Sequence, residues 1–245
     1  MKTIIGCKII RLKETDSTNR LALSSENASL PSGTVIIAER QTAGKGRKDR
    51  IWYSEKGGLY MSILFNEINE FGFFYKFAIL AALGVKETLE KLTGDSFFIK
   101  WPNDVYFHDK KICGILLQST TQGENNRVVV GIGININNSV SNLPDEIGEK
   151  SISLIDMTGK AYDIEEIETD ILNRLNDYYK AMKKREFKTY LPTINKFLYK
   201  KGEYTEFLLG VNIRALKIIE IDEEARLIVE DRNKNRLNLD FGEVL

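Results

Sequence analysis

The segment Gln41–Trp52, which reads QTAGKGRKDRIW, combines glycines and cationic side chains directly after an apolar run. Glycines let backbone amides approach an anion closely, and Arg and Lys add charge-assisted hydrogen bonds to phosphate or carboxylate oxygens. A basic loop that follows a strand can close over a phosphorylated ligand and exclude water. The same composition is also common in solvated surface loops, so the segment alone leaves both interpretations open.

A second candidate lies in the run Val128–Asn137, where apolar residues alternate with glycine and asparagine. In a strand the Val and Ile side chains of this run share one face, while the opposite face carries Gly131, Gly133, Asn135 and Asn137. Bare backbone that ends in two amides suits a flat ligand whose edge needs hydrogen bonds. A close packing contact against a helix is the structural alternative.

Two further groups are weaker when each is taken alone. Lys100–Asp104, which reads KWPND, precedes a strand-like run that contains Lys111 and Gly114. An ordinary turn and a solvated lysine at a strand end explain these equally well. Glu14–Asn19 supplies hydroxyls and an amide at a helix start, a composition shared by most helix starts.

Composition excludes several functional classes. The 245 residues contain 35 cations and 35 anions, so no overall basic field favours nucleic acid. No apolar run is long enough to span a bilayer, and the N-terminus lacks a signal-peptide core, which predicts a cytoplasmic protein. Cys7 and Cys113 are expected to be buried free thiols, and the single histidine, His108, a surface residue. A zinc site or a histidine-based nucleophile triad is therefore not expected.

The element pattern predicts an α+β domain over residues 1–200 and a small β-barrel over residues 201–245. The predicted strands of the first domain are Ile4–Leu12, Thr34–Glu39, Leu59–Phe65, Phe97–Trp101, Ile112–Ser119 and Arg127–Asn137. The predicted helices are Thr18 to about Ser29, an amphipathic helix that ends near Gly94, Ile164–Lys183 and Glu186–Lys200. Beyond Gly202 the predicted strands are Val211–Glu220, Arg226–Glu230 and Arg236–Asp240.

Taken in order, these groups resemble the catalytic domain of the biotin protein ligases. The hydroxyl-rich turn, the glycine-basic loop, KWPND, Lys111 with Gly114 and Gly-x-Gly-x-Asn all agree in order and spacing. The closing residues Arg214-Ala215 and Gly242-Glu243-Val244 resemble that family's SH3-like C-terminal domain. The loop departs from the family's Gly-Arg-Gly-Arg-Arg-Gly-Arg, since Lys45 and Lys48 replace arginines and Asp49 replaces a glycine. The resemblance implies a mixed sheet flanked by helices and a single-function ligase without the N-terminal DNA-binding domain.

The resemblance also implies a reaction and its residues. Biotin and ATP, with Mg²⁺ expected, would form biotinyl-5′-AMP, and biotin would then pass to a lysine of a biotin carboxyl carrier protein or domain of a biotin-dependent carboxylase. The implied catalytic residues are Lys111, Arg47 and Asp104. The implied biotin-binding residues are Ser17, Thr18, Asn19, Gln41, Lys45, Gly46, Arg47, Lys111 and Gly114. The implied ATP- or adenylate-binding residues are Arg47, Arg50, Trp52, Asn103, Gly133 and Asn135. No metal ligands are assigned.

Two other functions remain as alternatives at this stage. A lipoate-type protein ligase would share the fold, although the basic loop that ends in Trp52 and the appended β-barrel favour biotin. A nucleic-acid-binding module would use residues 45–50 and the barrel on phosphates, against which the zero net charge counts. No DNA or membrane partner is expected, and the sequence leaves open whether the protein is a homodimer.

Overall fold

A seven-stranded mixed sheet forms the centre of the computed structural model, which describes residues 4–66, 70–122, 125–240 and 243–244. Its strands are β1 (Ile9–Leu12), β2 (Val35–Ala38), β3 (Leu59–Phe65), β4 (Phe98–Lys100), β5 (Asp104–Phe107), β6 (Lys110–Gln122) and β7 (Asn125–Ile134). They lie in the order β1-β2-β3-β7-β6-β5-β4. The first pair is parallel and the remaining neighbours are antiparallel.

Helices cover both faces of this sheet. They are α1 (Thr18–Leu23), α2 (Phe71–Thr93), α3 (Asp145–Gly148), α4 (Leu154–Thr158), α5 (Ile164–Lys183) and α6 (Leu191–Lys196). Helices α2 and α5 pack with the sheet in the main core, and α2 ends at Gly94 in the left-handed conformation that glycine adopts without strain. A smaller core on the other face joins Ala22 of α1 to Leu64 and Val129.

The alternation predicted for β7 is confirmed. Its Val and Ile side chains at even positions from 128 to 134 are buried in the main core, with Ile136 just beyond the strand. Gly131 and Gly133 face the opposite side, where α1 lies. The strand ends at Ile134, so Asn135 and Asn137 follow it and do not extend it.

A second sheet forms the C-terminal part of the chain. Its strands are β8 (Tyr204–Leu209), β9 (Asn212–Ile221), β10 (Leu227–Glu230), β11 (Arg236–Leu239) and β12 (Glu243–Val244), in the antiparallel order β11-β10-β9-β8-β12. The side chains of Trp101 and Asn195 help to fasten it to the first part. The Trp101 indole donates to the Ala225 carbonyl at 3.0 Å, and the Asn195 amide exchanges two hydrogen bonds with the backbone of Ile221. The SH3-like barrel and the boundary after residue 200 remain predictions, and Gly242 lies outside the described residues.

Several predicted elements are wrong in extent. The first strand begins at Ile9 and not at Ile4, because Gly6 turns the chain with φ of 82°. Cys7 is therefore exposed, whereas Cys113 is buried as predicted. Helix α1 ends at Leu23 and is followed by a short 3-10 turn.

Further differences concern short elements. The predicted helix Glu186–Lys200 is a 3-10 turn, Phe187–Tyr190, followed by the six-residue α6. Strands β5, β8 and β12 and helices α3 and α4 were not predicted. His108 is exposed as expected, at positive φ in the turn between β5 and β6. Within the described ranges no helix is both long and apolar enough to cross a membrane.

Candidate active site

The basic loop folds back on itself beside the start of α1. The Gln41 amide donates to the Ser54 carbonyl at 3.0 Å, and the Trp52 amide donates to the Gly44 carbonyl at 2.9 Å. At the tip, Lys48 and Asp49 both adopt positive φ, 54° and 57°. Aspartate tolerates this left-handed conformation better than most residues with a side chain. This explains how Asp49 occupies a position where the biotin protein ligases carry glycine.

Cations from the loop and from the sheet reach two adjacent residues. The Arg47 guanidinium donates to Asn103 Oδ1 at 3.4 Å, and Lys111 Nζ lies 2.7 Å from Asp104 Oδ1. The Asn103 side-chain Nδ2 donates to the Ile115 carbonyl, and the Asn103 backbone carbonyl accepts from the Ile115 amide at 2.9 Å. The KWPND turn is thereby fixed to β6, which carries Lys111.

Four residues from neighbouring strands form one row across the sheet. Gly133 of β7 is opposite Gly114 of β6, Gly114 is opposite Asp104 of β5, and Asp104 is opposite Lys100 of β4. Directly opposed residues place their side chains on the same face. The row therefore presents bare backbone, a carboxylate and an ammonium, in that order.

The indole of Trp52 lies on the glycine end of this row. A Cβ on Gly133 would come within 2.4 Å of Trp52 Nε1, and one on Gly114 within 3.0 Å of Trp52 Cζ3. Lys111 Nζ lies 5.3 Å from the centre of the same ring. The indole N–H is buried and has no hydrogen-bond partner in the described structure. Only glycine at these two positions leaves room for a ring so close to the backbone. In this structure that ring is the Trp52 indole of the protein itself.

Thr18 and Asn19 at the start of α1 belong to a hydrogen-bonded network next to this ring, while Ser17 caps the helix by accepting from the Arg20 amide. Ser17, Thr18 and Asn19 are at most 5% exposed. Gln41 Oε1 accepts from the backbone and hydroxyl of Thr18 at 2.8 and 3.1 Å, while Gln41 Nε2 donates to Ser54 Oγ at 2.8 Å. Buried polar groups of this kind need partners, and here they supply them to one another.

Ser62 completes the network from β3. Its hydroxyl lies 2.7 Å from Thr18 Oγ1 and 2.6 Å from Asn19 Oδ1. Asn19 Nδ2 also donates to Gln118 Oε1 at 2.9 Å. Ser54, Ser62 and Gln118 were not predicted as members of this site. A serine inside the otherwise apolar run of β3 was the available signal.

Asn135 and Asn137, which follow β7, bind other groups of the protein in this conformation. Asn135 is 5% exposed; its Nδ2 donates to the Ile152 carbonyl at 3.3 Å and its Oδ1 accepts from Asn138 at 3.1 Å. Asn137 exchanges hydrogen bonds of 2.8 and 2.9 Å with the backbone of Tyr162. The role of Asn135 toward adenine stays a prediction.

A cavity of about 440 Å³ opens next to Trp52. It extends from Gly46 and Gly114 past Lys111 to Tyr106 and to Val244 of the C-terminal sheet. The cationic side chains among the described residues that line it are Arg47, Lys48, Arg50, Lys100, Lys111 and Lys150, against the carboxylates Asp104 and Glu146. The lining therefore has a net positive charge, which suits a polyanionic ligand. Lys45 lies outside the lining, with its Nζ 3.6 Å from Asp49.

The buried thiol next to the site is a poor nucleophile. Burial raises the pKa of Cys113, and the nearby Asp104 carboxylate raises it further. The thiolate, which is the reactive form, is therefore disfavoured. The described residues contain no cluster of three or more His, Cys, Asp or Glu side chains able to hold a metal ion.

Known proteins with similar sequences and structures identify the family of this chain. Residues 12–135 match the model of the Biotin/lipoate A/B protein ligase family. The chain belongs to this family. The bifunctional ligase/repressor BirA of Bacillus subtilis (strain 168) is 31% identical to this ligase over 237 residues, which cover 93% of this chain and 70% of BirA. The biotin--[acetyl-CoA-carboxylase] ligase of Paracoccus denitrificans is 33% identical over 159 residues, covering 63% of this chain and 66% of that enzyme.

A solved structure confirms the fold class predicted for this ligase. The biotin protein ligase of Aquifex aeolicus, in complex with biotin and ATP, superposes with a TM-score of 0.84 at 32% identity and covers 98% of both chains. The biotin protein ligase of Leishmania major with biotinyl-5-AMP shares the fold, with a TM-score of 0.64 at 20% identity.

Proposed function

We propose that this ligase activates biotin with ATP and transfers it to a lysine of a biotin carboxyl carrier domain. A biotin carboxylate oxygen attacks the α-phosphorus of ATP, the bond from that phosphorus to the bridging oxygen breaks, and pyrophosphate leaves. A deprotonated lysine amine then attacks the acyl carbon of biotinyl-5′-AMP. An amide forms and AMP leaves.

The observation that carries this proposal is the convergence of Arg47 and Lys111 on the adjacent residues Asn103 and Asp104. Two anions must meet in the first step, and fixed cations stabilise the charge that develops between them. Arg47 arrives from the loop and Lys111 from β6. Arg50 also lines the cavity and is assigned to the α-phosphate of ATP.

Biotin is assigned to the space between the α1 network and the glycine row. Ser17, Thr18, Asn19 and Gln41 offer donors and acceptors for the ureido ring, and Gly114 offers bare backbone to its apolar part. Lys45 and Gly46 close the loop over it. Because Trp52 and the mutual hydrogen bonds of the network fill this space, the ring must move and the network must exchange partners when biotin binds.

The adenylate is assigned to the neighbouring part of the cavity, with Trp52 as its cover and Gly133, Asn103 and Asn135 nearby. Asp104 holds the Lys111 ammonium in place through the 2.7 Å ion pair. No side chain forms a covalent intermediate, because positioning and electrostatics suffice.

Magnesium is expected to arrive with ATP. Mg²⁺ commonly binds through one or two carboxylates together with substrate phosphates. The carboxylates that line the cavity, Asp104 and Glu146, fit this mode and do not form a complete site of protein ligands. The ion would neutralise part of the charge on the phosphates.

Pyrophosphate release tests the proposal. The protein is incubated with ATP and Mg²⁺ plus biotin, lipoate or neither, and the acceptor is a biotin carboxyl carrier domain. Biotin-dependent release together with a biotin-sized mass increase on the carrier lysine is expected. Release with lipoate alone would assign lipoate ligation instead. DNA binding that weakens with salt would favour the nucleic-acid module.

A further inference from the structure

Lys100 at the far end of the glycine row is held in place by aromatic rings. Its Nζ lies 4.7 Å from the ring centre of Tyr106 and 5.6 Å from that of Tyr199. It also donates to the Tyr106 hydroxyl at 3.3 Å. An ammonium over an aromatic face is attracted by the ring quadrupole without using its N–H donors. Lys100 is thus a positioned cation on the wall of the cavity.

The rings are themselves fixed. The Tyr106 and Tyr199 ring centres lie 5.0 Å apart, and the Tyr199 hydroxyl donates to Asp109 at 2.6 Å. Burial raises the pKa of Tyr199, and the Asp109 hydrogen bond raises it further, so the phenol stays protonated. The Tyr199 amide also donates to the Ile99 carbonyl at 2.9 Å, which anchors the ring to the edge of the sheet.

The order of the four residues in the row predicts how an extended ligand would lie across the sheet. With the apolar part of biotin on Gly114, and its carboxylate and the α-phosphate beside Lys111, the β- and γ-phosphates would extend along the row toward Lys100, away from Gly133. Lys100 lies two strands from Gly114, roughly 10 Å away at its Cα, and a lysine side chain spans much of that distance. Asp104 lies between them and pairs with Lys111.

We propose that Lys100, held in position by the rings of Tyr106 and Tyr199, binds the β- and γ-phosphates of ATP and the pyrophosphate that they become. The inference rests on the proposed function and adds a leaving-group subsite to it. Lys100 acts on the group that departs, whereas Arg47 and Lys111 act on the phosphorus that is attacked. Stabilising the charge on the leaving group favours breaking of its bond to the α-phosphorus.

The test compares Lys100→Met with Lys200→Met. Methionine keeps an apolar stem against the rings and removes the charge. Lys200 is a matched control, because its Nζ lies 5.3 Å from the centre of the same Tyr199 ring but it does not line the cavity. For each variant, inhibition by inorganic pyrophosphate with Mg²⁺ is measured together with transfer from supplied biotinyl-5′-AMP to a carrier domain.

Lys100→Met is expected to raise the inhibition constant of pyrophosphate about tenfold, the loss of one charge-assisted hydrogen bond. Pyrophosphate-dependent return of the adenylate to ATP should fall in parallel. Transfer from supplied adenylate should stay within about twofold, because pyrophosphate takes no part in it. The retained transfer also shows that the variant is folded.

Unchanged pyrophosphate inhibition in Lys100→Met, or an equal change in Lys200→Met, would overturn the subsite. A parallel loss of transfer would show that Lys100 shapes the whole site or contacts the carrier, and would also overturn it. Failure of the wild-type protein to release pyrophosphate with biotin is a separate result, since it contradicts the proposed function. Calorimetric titration of wild type and Lys100→Met with pyrophosphate then still tests the subsite.

Discussion

The ion pair between Lys111 and Asp104 sets the electrostatics where the two substrates would meet. Both side chains are largely buried, 27% and 19% exposed, so their interaction is less screened than a surface pair. The Asp104 carboxylate fixes the position of the Lys111 ammonium. The ammonium in turn neutralises the carboxylate, which would otherwise repel an incoming anion. The pair therefore prepares the site before ligand arrives.

Lys111→Ala is expected to lower the rate of adenylate formation at least about 100-fold, because the cation between carboxylate and phosphate is lost. Biotin-dependent pyrophosphate release measures this. Lys110→Ala, a change at the exposed neighbour, is the control. Normal release by Lys111→Ala would remove Lys111 from the mechanism.

The position of Trp52 differs from the role assigned to it. Its ring rests on Gly133 and Gly114, where the ligand is proposed to lie. Trp52→Ala should therefore bind biotin several-fold faster in the absence of ATP, yet release the adenylate faster, since the cover is lost. Stopped-flow measurement of biotin association tests this, with Ile51→Ala as a truncation control in the same loop. Equal association rates for wild type and Trp52→Ala would mean that the ring does not obstruct binding.

At the scale of elements, the basic loop links the α1 network to the KWPND turn. At the base of the loop, the backbone amides of Thr42 and Ala43 donate to the carbonyls of residues 15 and 16. At the tip, Arg47 reaches Asn103. The tip contact at 3.4 Å is long, as expected of a segment that must open and close. We propose that retention of the reactive adenylate depends on this loop.

Arg47→Gly should weaken that retention, so that adenylate escapes and labels lysines of other proteins. Mass spectrometry of a mixture of carrier and bystander proteins measures the labelled positions. Lys56→Gly, outside the loop at an exposed lysine, is the control. Label confined to the carrier would show that Arg47 does not retain the adenylate.

Elements with strong periodicity could be predicted from sequence, whereas short elements could not. Leu59–Phe65 and Ile164–Lys183 match the structure residue for residue, since long apolar patterns fix them locally. Strand β5 has four residues and is defined only by its partners on both sides. Pro192 at the start of α6 breaks the pattern that predicted one continuous helix there.

The candidate site shows the same division. The residue types and their order along the chain indicated an anion site, because chemistry constrains which side chains can serve it. The position of Trp52 on the glycines, the backbone contacts of Asn135 and the aromatic setting of Lys100 depend on long-range packing. No local pattern carries that information.

At the scale of the whole molecule, the central sheet carries Asp104 and Lys111, and helices α2 and α5 pack against that sheet. Helix α5 is tied to α2 by Asp170, which accepts from Thr88 at 2.8 Å and from Arg174 at 3.0 Å and pairs with Lys91 at 3.0 Å. Burial alone would raise the pKa of Asp170, but these hydrogen bonds outweigh it and lower the pKa from 3.8 to about 2. The ionised carboxylate therefore stabilises the packing of α2 on α5.

This contribution depends on pH with a defined sign. Because the folded pKa of Asp170 is depressed, its stabilisation is present above pH 3.8 and is lost as the pH falls through about 2. Asp170→Asn should lower the free energy of unfolding at neutral pH by about 1 kcal/mol, discounted for partial exposure, and by less at acid pH. Urea unfolding of both proteins across this range measures the difference. A difference in unfolding free energy that stays constant with pH would contradict the depressed pKa of Asp170.

A structure with biotin and a non-hydrolysable ATP analogue tests the account most directly. We predict that the Lys111 ammonium and the Arg47 guanidinium lie within hydrogen-bond distance of the biotin carboxylate or the α-phosphate, with the Trp52 ring displaced from Gly133. A ligand bound with Lys111 or Arg47 remote from those oxygens would contradict the claim that loop and strand cations meet where the two anions react.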